Sequence, residues 1–257
     1  MSVIEIGWLE LVAATGFILV SGALAFWFRL GITVPLAIAT VRTYLQLLAL
    51  GIVLRWIFEV QAVWLVLAIL LLMMSTAVHT VLSRLTDRGR PIWLGTVGGV
   101  FLSGLVVPFA VTALLIHIDP WYEPRFLLPI AGMVIGNAMN GIALCQERLL
   151  ESFRARREEV LLRLSLGATA WEASFPLVRE SFRAGMIPTM NGMATVGLVF
   201  IPGMMTGQVL AGVDPATAAK YQIVVMLMLS AATALGTMVA LRLSYRQAFD
   251  REETLAI

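Results

Sequence analysis

The chain has 257 residues, of which 60% are hydrophobic and 13% charged, and its mean hydropathy is +0.90. A soluble domain carries about a quarter charged residues, so that class is excluded. The net charge of +2 and the pI near 9.0 come from arginines gathered in a few short connections, a signature of membrane topology with nothing to suggest nucleic acid.

A bilayer core takes about 20 apolar residues per helix. Seven stretches qualify, at 7–28, 32–54, 61–82, 92–115, 125–145, 184–211 and 216–241. The sequence therefore predicts an all-α integral membrane protein with about seven transmembrane helices. They form a single transmembrane domain over 1–257, with the lipid bilayer as its surroundings. Between spans five and six lies one long polar connection, 146–183, expected to be cytoplasmic. The N-terminal MSVIEIG has no basic n-region, so the first span reads as retained, with no cleavable signal. Connections after spans one, three and five, with the C-terminal tail, hold fourteen of the eighteen basic residues. Positive charge stays inside. The N-terminus is then outside and the C-terminus cytoplasmic.

Span two carries Arg42 near its middle, with Gln46 one turn further on. An arginine at bilayer centre costs about 2.5–3.5 kcal/mol on insertion scales and is a functional candidate by default. It is either tied to carbonyls, Gln46 or Glu10, or it meets a cargo bearing anionic groups. A bare divalent ion passing within ~8 Å of it would meet ~4 kcal/mol of repulsion at an effective dielectric near ~20.

In span five, Gly132, Gly136 and Asn140 repeat at helical spacing, with Asn137 beside them. Small residues and amides at this spacing suit helix packing; a pore-lining role for an asparagine is the other reading.

The connection 146–183 begins with an apolar stripe, Leu149, Phe153, Val160 and Leu164, which reads as an amphipathic extension of span five. Ser165, Leu166, Gly167, Ala168 and Thr169 break it, with Gly167 suited to a left-handed position beyond a helix end. Thr169 and Glu172 have capping-box spacing and open a second helix. Pro176 is expected to end that helix or to start the next. The product is a helix–turn–helix knuckle that presents Trp171 and Phe175 one turn apart. It reads either as an interfacial helix in the headgroup layer or as a coupling segment that docks a cytoplasmic motor.

Span six contains IPGMMTGQ (201–208). Pro202 lacks a donor and Gly203 loosens the helix, so a break is expected. Broken helices are tolerated where they line a cavity, which makes Pro202, Gly203, Met204, Met205 and Gln208 transport-path candidates beside Arg42, Gln46, Asn137 and Asn140. A simple kink is the alternative. Thirteen methionines are soft donors suited to Cu(I) and also ordinary apolar filler. His79 has no partner at ligand spacing, and His117 lies near Asp119 in an outer loop. That pair is at most a weak cation site, and no strong metal site is readable. Cys145 is the only cysteine, which excludes an internal disulfide.

Four strings extend this reading. PIAGMVIGNAMN (129–140), LSLGAT (164–169), TVGLVFIPGMMTGQVLAG (195–212) and DPATAAKYQI (214–223) resemble the FetB-like permeases of bacterial iron exporters, a family that includes plant permeases linked to aluminium tolerance. The resemblance is densest from 125 to 245. It implies a permease subunit of an ATP-binding-cassette exporter, acting as a homodimer with a separate cytoplasmic ATP-binding subunit. Ser165 to Thr169, Trp171, Glu172 and Phe175 would then couple to that subunit, and the cargo would be iron or an iron-related compound. A chelate, a tetrapyrrole or another small molecule is the alternative cargo, and a non-transporting scaffold the alternative role. ATP and Mg would sit on the partner, with no cofactor in this chain. A P-loop needs Gly-Lys-Ser/Thr, and the only lysine, Lys220, stands between Ala219 and Tyr221. No Ser/His, paired-Asp or HExxH constellation falls within the spans, which disfavours an intramembrane enzyme.

Overall fold

The computed structural model describes residues 7–60, 62–85, 89–115 and 119–249. Those residues form helices and no strand, and six of the helices are long and apolar enough to cross a membrane. By contact they fall into two compact units, Met1–Gln61 and Ala62–Ile257. His117 and Arg251 lie outside the described residues.

The first unit is a helical hairpin of α1 (Trp8–Trp27) and α2 (Thr33–Val60). Its turn is a Schellman motif: Arg29 N–H donates to Phe26 O and Leu30 N–H to Ala25 O. This places Arg29 at φ 52°, a conformation that glycine usually takes. The Tyr44 hydroxyl on α2 ties the pair, 2.9 Å from Thr15 Oγ1 and 3.0 Å from Leu11 O.

The second unit begins with α3 (Val63–Arg84) and α4 (Arg90–Phe109), which widens after Pro108 into π-type turns over Ala110–Leu115. Then come α5 (Pro124–Ala155), α6 (Arg157–Ser165), α7 (Ala170–Thr195), α8 (Gly203–Leu210) and α9 (Pro215–Ser244). α9 is the axis, packed on α4, α5, α7 and α8. Its buried seam, Ala218, Gln222, Val225, Ala232, Gly236 and Ala240, is mostly small, as membrane helix contacts require when lipid offers no hydrophobic drive.

Glycines set the closest approaches. A Cβ on Gly99 would come within 2.5 Å of Gly236 O, and one on Gly185 within 2.8 Å of Gly141 O. Gly136, Gly203 and Gly207 would meet nothing within 4 Å. Intrachain packing therefore uses Gly99, Gly141, Gly185 and Gly236, while the Gly136 face of α5 stays open. A buried polar node adds direction. Gln146 Nε2 on α5 donates to Ser244 Oγ on α9 at 2.8 Å and to Ile92 O on α4 at 3.3 Å. The Thr96 hydroxyl completes it, 2.9 Å from Gln146 Oε1.

Two sequence expectations need correction. Pro176 neither ends nor starts a helix: α7 runs without interruption from Ala170 to Thr195, through Pro176 and Pro188. The donor that Pro176 lacks would have served Glu172 O, at an exposed residue, where a missing helical bond costs little. The stretch 184–211 is not one spanning helix. It consists of the end of α7, a non-helical turn over 196–202, and the eight-residue α8. The break opens ahead of Pro202, at Gly197 with φ +80°, and Gly197 N–H closes it on Phe200 O at 2.9 Å.

Backbone-to-backbone approach should matter more to stability than the Gln146 node. Hydrogen bonds between membrane helices average about 0.6 kcal/mol, whereas overpacking costs about 1–3 kcal/mol. Unfolding in mixed micelles should show Gly99→Ala more destabilised than Gln146→Leu; the reverse order would contradict this packing scheme.

Candidate functional site

Contacts within the second unit gather one set of helix ends. The end of α5 meets the end of α9 through Gln146 and Ser244. The start of α7 meets the same end of α9 through Trp171 and Tyr245, whose ring centroids are 5.1 Å apart. α4 begins there as well, with Gly95 against Ser244 and Ala240 O. This is the arginine-rich end, bearing Arg148, Arg154, Arg156, Arg163, Arg242 and Arg246. α9 starts at the opposite end, so α7, the turn and α8 together lead from one end to the other.

At the arginine-rich end, α6 and α7 meet at a tight turn over 166–169. Gly167, at φ +90°, closes α6 in a Schellman turn, with its N–H on Leu164 O and the Ala168 N–H on Arg163 O. Glu172 N–H donates to Thr169 Oγ1, and Thr169 N–H donates to Glu172 Oε2 at 2.9 Å, a complete capping box. The Thr169 N–H and the Thr169 hydroxyl both donate to the Glu172 carboxylate and hold it below its ordinary pKa. The box is therefore fully present above the usual glutamate range and is lost as pH falls through the lowered value. Ser165 Oγ donates to Leu162 O.

This knuckle is seated firmly. Val160, Ala173, Leu177 and Val178 share a buried cluster with Cys145, Leu149 and Phe153 of α5 and Leu241 and Tyr245 at the end of α9. Arg156, at the bend between α5 and α6, makes a two-pronged ion pair with Glu180 of α7, both contacts at 2.8 Å. Trp171 belongs to the seat: the Arg242 guanidinium lies 4.3 Å over its ring. The outward apolar groups include Leu166, 79% exposed, Leu162, 60% exposed, and Phe175, 50% exposed, with Ser165 and Gly167 exposed beside them.

The second candidate region is the break. A hollow of about 370 Å³ is lined by Asn137, Pro202, Gly203, Met204, Gln222 and Met226 among others. It brings together four of the expected path residues. A neighbouring hollow of about 350 Å³ takes Met205, and shares Gln222 and Met226 with the first. Asn137 Nδ2 donates back to Met133 O at 2.9 Å. The Oε1 atoms of Gln208 and Gln222 are buried without a hydrogen-bond partner among the described residues. Asn140 lies apart from both hollows, accepting from Arg84 Nη1 at 3.5 Å.

Arg42 and Gln46 are exposed on α2 in the first unit. Among the described residues Arg42 forms no hydrogen bond or ion pair with Glu10 or Gln46. Sequence reasoning missed Gln222, Met133, Met193 and Met226 as hollow-lining residues. A glutamine in an otherwise apolar span was a visible signal at 222; the methionines gave none, because only the fold gathers them. No group of three or more His, Cys, Asp or Glu able to hold a metal occurs among the described residues.

Comparison with known proteins agrees with this architecture. A UPF0014 membrane protein of Synechocystis sp. is 36% identical over all of this chain and 99% of its own length. The probable iron export permease protein FetB of Escherichia coli is 35% identical over 84% of this chain and 82% of its own. Protein ALUMINUM SENSITIVE 3 of Arabidopsis thaliana is 32% identical over 88% of this chain and 82% of its own. No solved structure matches the chain. The family described as uncharacterised protein family UPF0014 matches residues 8–249, so the resemblance read from 125–245 extends across nearly the whole sequence, and the chain belongs to that family of multi-pass membrane proteins.

Proposed function

We propose that this chain is the membrane subunit of an ATP-binding-cassette exporter. Two copies form the permease, a separate cytoplasmic subunit binds ATP and Mg, and the cargo is iron or an iron-related compound moved out of the cytoplasm. The observation that carries the reading is the knuckle. A coupling element must expose an apolar tip to a partner while being stiffly joined to the helices it moves. Leu166 and Phe175 supply the tip, and the cluster with α5 and α9, clamped by Arg156–Glu180, supplies the joint. The arginines at this end favour the cytoplasmic side. Transport would follow the broken segment from the knuckle to the start of α9. A motor that closes on two nucleotides needs two knuckles, which a two-fold axis provides, and the open Gly136 face of α5 is available for that contact. The FetB relative's name supports the cargo and the direction.

Leu166→Ser with Phe175→Ser should release the proposed ATP-binding subunit, while the permease still inserts and stays monodisperse. An apolar anchor of this kind is worth about 2 kcal/mol or more, a ~30-fold weaker complex. Undiminished co-purification would refute the coupling role. Trp171→Ala should instead lower the melting temperature, since that ring packs on Arg242 and Tyr245.

One observation favours a second cargo, an anionic chelate: among the described residues, Arg42 of α2 has no hydrogen bond or ion pair. In that case Arg42→Gln abolishes cargo-stimulated ATPase activity and spares assembly and basal hydrolysis. Loss of assembly would mark Arg42 as structural and remove the second reading.

A further inference from the structure

Two buried glutamines of the second unit are treated in opposite ways. Gln146 is fully used, accepting from Thr96 and donating to Ser244 and Ile92 O. Gln222, 6% exposed on the α9 seam, makes no hydrogen bond among the described residues. Buried amides in folded proteins are nearly always paired, and in lipid there is no bulk water to serve as substitute. An unpaired amide that lines a hollow marks a place where a ligand completes the coordination.

The groups around Gln222 define the ligand. Gln222 and Met226, one turn apart on α9, line both hollows; Met133 and Met204 join them in the first, Met193 and Met205 in the second. Five of the thirteen methionines thus surround one amide, three at each hollow. Neither lining contains a carboxylate, imidazole, thiol or basic group. A hard divalent ion would find no charged oxygen donor there to offset its dehydration. Thioethers are soft donors that suit monovalent d¹⁰ ions, and their three rotatable bonds let them close on an ion smaller than the hollow.

We propose that the broken segment holds a soft monovalent metal ion of the Cu(I) class, bound by the thioethers of Met133, Met204 and Met226 with the Gln222 amide. A neighbouring position at Met193, Met205 and Met226 shares the same amide. The inference rests on reading this segment as the transport path, and assigns to it a soft monovalent ion in addition to the iron-related cargo of that reading.

The full-length permease, labelled with ¹³C at its methionine methyls and reconstituted without an ATPase, is titrated with silver(I) nitrate in chloride-free buffer. Silver(I) is a redox-inert stand-in for Cu(I). Methyl resonances of Met133, Met193, Met204, Met205 and Met226 should shift and saturate, while those of Met73, Met74 and Met228 hold still. Zn(II) at the same concentration should move none. Losing even a supporting partner costs a metal site about 10–100-fold in affinity, so Met226→Leu, which serves both hollows, should weaken silver binding at least about tenfold. Unmoved methyls, equal shifts at Met73, Met74 and Met228, or equal shifts with Zn(II) would each overturn the inference. If Met226→Leu does not fold, the wild-type methyl pattern decides. Because no ATPase is present, this result is independent of whether the knuckle docks one.

Discussion

The structure depends on the absence of a hydrophobic drive between helices that already sit in oil. Lipid is as apolar as leucine, so helices hold together where backbones come very close and where a few polar groups satisfy one another. In the second unit both conditions meet around α9. Gly99 faces Gly236, and Gly141 faces Gly185, at separations that leave no room for a methyl group. One layer away, Gln146 joins α4, α5 and α9. These contacts fix the arginine-rich ends of α4, α5, α7 and α9 to one another, and everything else hangs on that fixed end.

The knuckle and the break are opposite consequences of this arrangement. Near the fixed end α7 is held on both sides, by α5 through Gly141–Gly185 and by the end of α9 through Trp171. The turn that precedes it inherits that stiffness. Beyond Thr195 the chain leaves the tight seam, and the glycine at 197 with the proline at 202 replaces helix by a short turn. The two hollows beside Gln222 lie against this turn, whose outer side chains, Leu198 and Val199 among them, are exposed. A stiff end joined by one helix to a loosely packed break is the layout that the proposed coupling of knuckle and transport path requires.

Local chemistry was legible in the sequence. The capping box at Thr169–Glu172, the left-handed Gly167 and the break near Pro202 each follow from a few adjacent residues, and each is present. What escaped was set by tertiary context. Pro176 sits in a helix because packing on both sides of α7 outweighs one lost hydrogen bond. Gly132 and Gly136 looked like packing glycines because their spacing is regular, and only Gly132 packs, against Met73 of α3. The closest approaches fall at glycines whose partners lie on other helices, information that spacing along one helix does not carry. The methionines around Gln222 come from α5, α7, α8 and α9, so no single stretch of sequence shows them as a set.

The central claim is that the segment from the knuckle to α8 crosses the membrane, with the knuckle facing the motor side. Single cysteines placed in a Cys145→Ala background, at Leu166→Cys on the knuckle and at Ala211→Cys just beyond α8, test it with a membrane-impermeant thiol reagent on intact cells. The account predicts labelling of position 211 from outside, and of position 166 only after the membrane is opened. Labelling of both from the same side would mean that the broken segment turns back without crossing, and would contradict the account.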